Sequence, residues 1–104
     1  MKDAKYFEEN VNMIVEVEYE SGGKSRQAMK GVEVKPYLDK VVDNKETYFS
    51  DCDYSTKQDD EWVRKVLNTA DYNWRHNRKW WMDDLKFTSL GQLVDYIIDH
   101  KLVA

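Results

Sequence analysis

Alternation dominates the first third of the chain. Val11, Met13, Val15, Val17 and Tyr19 alternate with Asn12, Ile14, Glu16, Glu18 and Glu20. Apart from Ile14, this is the period-two pattern of a strand with one buried and one wet face. Ser21-Gly22-Gly23-Lys24-Ser25 supplies a turn, with glycines able to take positive φ. Residues 27–35 read as the returning strand, with Val32 and Val34 on one side and Gly31 marking a bulge or bend. Together these predict a hairpin over residues 11–35. The preceding residues 1–10 are polar around Tyr6 and Phe7 and read as a short helix or an arm.

Pro36 ends the second strand or opens a short helical turn through Leu38, Val41 and Val42. Asp43-Asn44-Lys45 is a polar turn. Thr47 to Tyr54 is β-prone, with Tyr48, Cys52 and Tyr54 on one face, and residues 55–60 form a polar loop. The period then changes. Trp62, Val63, Val66, Leu67 and Ala70 fall on one helical stripe, and Asp59, Asp60 and Glu61 suit the start of a helix over 59–70. A second helix over 89–101 opens with Ser89 and Gln92 as a capping box. Leu90, Leu93, Val94, Ile97 and Ile98 give it an apolar face, and His100 and Lys101 suit its C-terminal end. Gly91 in its first turn is a mild cost. Asn73 to Phe87 carries both signals. The strand propensity of Trp80-Trp81-Met82 and the Leu85/Phe87 alternation favour an extended segment, broken near Asp83-Asp84.

The expected fold is α+β. A small antiparallel sheet, made of the hairpin 11–35 plus one or two further strands, is covered on one face by the helices near 59–70 and 89–101. With no internal repeat or linker, residues 1–104 are expected to form a single domain.

Composition narrows the class. The chain has 104 residues, 41% hydrophobic and 35% charged, which suffices for one modest core and is too apolar for a disordered segment. The lone Cys52 excludes an internal disulfide. With no apolar leader and only short apolar runs, a cytoplasmic location without a membrane span is expected. The net charge of -4 is unevenly spread. Residues 1–20 carry two positive and six negative groups, 51–61 carry one and five, and 62–82 carry five and one. Such a chain is no general nucleic-acid coat, which needs a net basic footprint.

The basic segment holds the densest candidate chemistry. Trp74-Arg75-His76-Asn77-Arg78-Lys79-Trp80-Trp81 packs three of the four tryptophans into eight residues. Trp and Arg dominate protein-binding hot spots, and stacking sites for single-stranded nucleic acid use the same mixture. Trp74, Arg75, His76, Arg78, Lys79, Trp80 and Trp81 are therefore the candidate partner-binding residues. On a strand, Tyr72, Trp74, His76, Arg78, Trp80 and Met82 share one face. The alternative reading makes the tryptophans core, with Arg78 and Lys79 lying along the sheet.

Acidic residues supply a second candidate face: Glu16, Glu18 and Glu20 on the first strand, with Asp51, Asp53, Asp59, Asp60 and Glu61 further on. Alternate acids on a strand lie roughly 7 Å apart on one side, a spacing comparable to that of nucleic-acid phosphates. The alternative is a solubilising face or an edge guard.

Two local resemblances carry little. Asp51 to Trp62 resembles an EF-hand calcium loop, with oxygen ligands at its first, third, fifth and ninth places. Thr56 stands where that family needs glycine, and Glu61 comes one place early. Lys86 to Tyr96 resembles the last strand-turn-helix of Src-homology phosphotyrosine-binding domains. The early tryptophan and the buried-strand arginine of that family are lacking, so no function is carried over.

Catalytic types are sparse. Cys52, His76 and His100 have no spacing that brings a nucleophile to a base, and Asp51 and Asp53 would raise the thiol pKa. No metal or cofactor motif is present. The expectation is a non-catalytic protein-binding domain, an inhibitor or adaptor of a larger partner such as a nucleic-acid-processing enzyme. Phage and mobile-element proteins that block restriction or CRISPR nucleases have this general character. Direct binding of single-stranded nucleic acid through Trp74–Trp81 is the alternative, and a small enzyme using Cys52 or His76 is the next.

Overall fold

The computed structural model of the chain describes residues 2–18, 22–41, 52–55 and 60–103. The fold is α+β. Asp3 accepts a hydrogen bond from the Tyr6 N–H at 2.9 Å and starts α1 (Ala4–Asn10), which buries Phe7. The chain then enters β1 (Asn12–Glu18), which pairs antiparallel with β2 (Lys24–Lys30); Met13 lies opposite Met29 and Glu18 opposite Lys24. Gly22, at φ +85°, serves the connection with a conformation costly for any side chain. A third strand, β3 (Cys52–Ser55), pairs antiparallel with the other side of β1, so the strand order is β2-β1-β3.

The second strand is shorter than the expected 27–35. It stops at Lys30, and Gly31 takes φ +54° to turn the chain, donating its N–H to the Val11 carbonyl at 2.9 Å. A 3-10 turn (Gly31–Glu33) leads directly into α2 (Val34–Asp39). Val32 and Val34 are therefore not on one side of a strand: Val32 is 76% exposed and Val34 is fully buried. The reason lies in spacing. Val34, Tyr37 and Leu38 are three and four residues apart, so a helix buries all three, whereas a strand would split them. Pro36 sits within the first turn of α2, where no N–H is needed.

Asp60 caps α3 (Glu61–His76), accepting from the Val63 N–H at 3.0 Å. Ser89 caps α4 (Leu90–Asp99), its Oγ accepting from the Gln92 N–H at 3.3 Å. The Gln92 side chain reaches back one residue further than a capping box requires and accepts from the Thr88 N–H at 2.8 Å. The two amphipathic helices pack their apolar stripes together: Val63, Val66, Leu67 and Ala70 against Leu93, Val94, Ile97 and Ile98. Phe7, Val11, Met13 and the α2 residues complete this core. Met13 shares a cavity of about 20 Å³ with Leu38, Leu67, Leu90 and Val94, so the sheet meets the helices where β1 begins.

Tyr48, the Asp43–Lys45 turn and most of the β-prone stretch from Thr47 lie outside the described residues. No helix among the described residues is long and apolar enough to cross a membrane.

Candidate interaction site

Residues 73–84 are helical apart from Asn77, not extended, and Leu85 to Phe87 form a turn. The stripe of α3 continues past Ala70 to Trp74, and the helix ends at His76 with the Asn77 N–H on the Asn73 carbonyl at 2.9 Å. A π-helix (Lys79–Asp84) follows, with the Leu85 N–H bonded five residues back to the Trp80 carbonyl at 3.0 Å. The proposed strand face of Tyr72, Trp74, His76, Arg78, Trp80 and Met82 therefore does not form. Burial overrides the strand propensity of Trp80-Trp81-Met82. Trp74 and Trp81 are seven residues apart, which in helical backbone returns them to one side. Their rings stack at 3.7 Å with planes 11° apart, and the Trp81 indole N–H donates to the Trp74 carbonyl at 3.0 Å.

The aromatic-cationic segment thus divides. Trp81 is 1% exposed and belongs to the core, and Trp74 is half-buried over it. Arg75 is exposed and bonds Asp71 through Nε at 2.9 Å. His76 is exposed with its ring 4.7 Å from that of Tyr72. Arg78 is exposed, as is Lys79, which lies 3.8 Å from Asp83. Trp80 is half-buried and turns the other way, meeting Tyr96 of α4 at 5.9 Å with planes at 80°.

Tyr96 collects further rings. Phe87 meets it at 5.5 Å and 64°, and His100, one turn on, stacks on it at 3.9 Å and 24°. The backbone before Phe87 arranges this: Lys86 takes φ +61°, and the Phe87 N–H bonds the Trp81 carbonyl at 2.8 Å. Phe87, Tyr96 and His100 line an open groove of about 470 Å³ with Lys86, Asp95 and Asp99. Asp95 pairs with Lys35 at 2.9 Å, and Lys35 also pairs with Asp39 at 2.8 Å. Burial pulls the Lys35 ammonium down, but its bonds to Asp39 and Asp95 outweigh this and hold it above the ordinary lysine range.

Sequence reasoning missed Lys86, Phe87, Tyr96 and His100 as site residues. The available signal was position on α4. With Leu93, Val94, Ile97 and Ile98 facing the core, Tyr96 is an aromatic ring on the polar side of an amphipathic helix.

Two of the acidic candidates, Glu16 and Asp53, come opposite one another across the sheet, and others are engaged elsewhere. Register sets Glu16 opposite Arg26 of β2 and Asp53 of β3, and Glu18 opposite Lys24. Glu20, Asp51 and Asp59 lie outside the described residues. Asp60 is occupied: beyond capping α3 it accepts a hydrogen bond from the Tyr6 hydroxyl. That bond raises the Tyr6 pKa and, with the Val63 N–H, lowers that of Asp60. Glu61 is exposed and lies 3.4 Å from Lys65. Among the described residues no group of three or more His, Cys, Asp or Glu side chains is placed to hold a metal ion. The His100 Nδ1 lies 3.0 Å from the Tyr96 carbonyl, a bond within the helix end. Comparison with protein-family models, with curated proteins and with solved structures finds no match to this chain.

Proposed function

We propose that the protein is a small non-catalytic protein-binding domain, an inhibitor or adaptor of a larger partner, and that it docks through Trp80, Phe87, Tyr96 and His100. One observation carries this reading: half-buried Phe87 and Tyr96, with exposed His100, line an open groove, and half-buried Trp80 packs against Tyr96. Rings already fixed by ring-ring contact offer large contact area at little further ordering cost. Aromatic anchors of this kind carry most of the energy at protein interfaces. The net charge of -4 suits a partner with a basic surface, such as a nucleic-acid-processing enzyme, because opposite charge speeds encounter.

Direct binding of single strands has less support. Stacking needs open ring faces, and here Trp81 is buried while Trp74 is half-buried and stacked on it. The test has two arms. Intrinsic tryptophan fluorescence is titrated with a mixed-sequence single-stranded oligonucleotide at low and high salt. Partner capture from the native host is compared between the wild type and a Trp80→Ala/Tyr96→Ala double variant. The expected result is unchanged fluorescence and a captured protein that the double variant loses. Strong quenching at low salt that vanishes at high salt would replace this reading with direct nucleic-acid binding.

A further inference from the structure

We infer that the groove beside Tyr96 receives an arginine side chain of the partner. This rests on the protein-binding reading above and names the chemistry of that contact. Aromatic faces carry negative potential and attract cations, and the flat guanidinium also stacks on them. Phe87 and Tyr96 line the groove with planes at 64°, and Trp80 adjoins it through its steep contact with Tyr96. A planar cation laid on one of these rings meets the edge of another.

The charges around the groove point the same way. Its lining carries one ammonium, Lys86, against two carboxylates, Asp95 and Asp99. Lys35 pairs with Asp95, but it is shared with Asp39. Taken together, Asp39, Asp95 and Asp99 exceed Lys35 and Lys86 by one negative charge. Asp99 is the acceptor at hand: among the described residues its side chain makes no hydrogen bond or ion pair. A guanidinium over the rings can present its paired N–H donors to that carboxylate. An acidic side chain in the same place meets two carboxylates, with Lys86 and the His100 ring as its partners.

The test uses the full chain, isotopically labelled, in an NMR titration with three blocked tripeptides: Gly-Arg-Gly, Gly-citrulline-Gly and Gly-Glu-Gly. Citrulline keeps the planar shape of arginine without its charge. The arginine peptide is expected to move the Trp80 indole, Phe87, Tyr96 and Asp99 resonances. The citrulline peptide should do so at several-fold higher concentration, and the glutamate peptide not at all. Asp99→Asn is expected to weaken arginine-peptide binding by about two- to fivefold, and Lys86→Gln to strengthen it by a similar factor. Both substitutions are on the surface, so the fold is retained. Equal binding of citrulline, or weaker arginine binding in Lys86→Gln, overturns the cation assignment. Groove shifts from the glutamate peptide overturn it too, yet leave the groove as a docking site. If none of the peptides moves the groove, the arginine assignment fails, and the capture experiment with Trp80→Ala/Tyr96→Ala decides the docking reading by itself.

Discussion

Neighbouring tryptophans with the same chemistry have opposite duties. Trp81 is buried, stacked on Trp74 and hydrogen-bonded to its carbonyl, so Trp81→Ala leaves a cavity and removes a ring contact. The expected loss is about 3–5 kcal/mol, read from urea denaturation. Trp80→Ala is expected to cost distinctly less in the same assay, because that ring is half-exposed already. The segment's richness in tryptophan was legible in the sequence; which ring faces the core was not, since that depends on a backbone type the local propensities opposed. Tyr6 and Asp60 give a pH-dependent prediction. The hydrogen bond from Tyr6 to Asp60 raises the tyrosine pKa above 10.0, so its contribution is complete below that pH and is lost as pH rises through the folded-state value. The same bond, with the Val63 N–H, lowers Asp60 below 3.8, so its contribution is complete above that pH and is lost as pH falls through the folded-state value. Thermal melts of wild type and Tyr6→Phe should therefore differ most near neutral pH and converge at both extremes. A constant difference across the range would assign the effect to packing on Trp62, whose ring lies 5.7 Å from that of Tyr6.

At the level of elements, legibility followed redundancy. Helix α4 was readable because its cap, its apolar stripe and its polar flank agree, and β1 because five alternating residues outweigh Ile14. Residues 31–35 read as strand because Val32 and Val34 fit one locally, while the helical spacing of Val34, Tyr37 and Leu38 competes with it; the helical turn offered from Pro36 through Leu38 does form, as part of α2. Propensity alone also gives the wrong sign at Gly91. In an open helix Gly→Ala is worth up to about 1 kcal/mol of added stability. Here the new Cβ would run into the Asp39 carboxylate and lie 3.0 Å from the Asp39 backbone nitrogen. Gly91→Ala is therefore expected to lower the unfolding midpoint, and Asp39→Ala to relieve part of that loss. Stabilisation by Gly91→Ala in the wild-type background would show that α2 shifts freely on α4.

For the whole molecule, the join between sheet and helices is the sensitive point. Val11, between α1 and β1, and Met13 of β1 enter the common core, and Met13 reaches Leu38, Leu67, Leu90 and Val94. Met13→Ala should cost about 2–5 kcal/mol, with hydrogen exchange rising first in β1 and β2 rather than in α4. Uniform exchange would mean that sheet and helices open as one unit. The α+β class could be expected from the order of alternating and helical patterns, but the groove beside Tyr96 could not. Its lining residues all fall between Leu85 and His100, but only the positive-φ turn at Lys86 and the side of α4 that carries Tyr96 bring them around one groove, and no local pattern announces that turn. The π-helix has a last consequence, for chain length rather than composition. Met82, Asp83 and Asp84 are exposed, so exchanging their side chains disturbs little. Deleting any one of them lets the i+5 turn close as an ordinary i+4 α-helical turn, which absorbs the loss, whereas an added residue rotates what precedes it by about 100° relative to Phe87. After such an insertion Trp81 would leave the core and Trp80 would leave Tyr96, so this stretch tolerates a change of identity or the loss of one residue but not the gain of one.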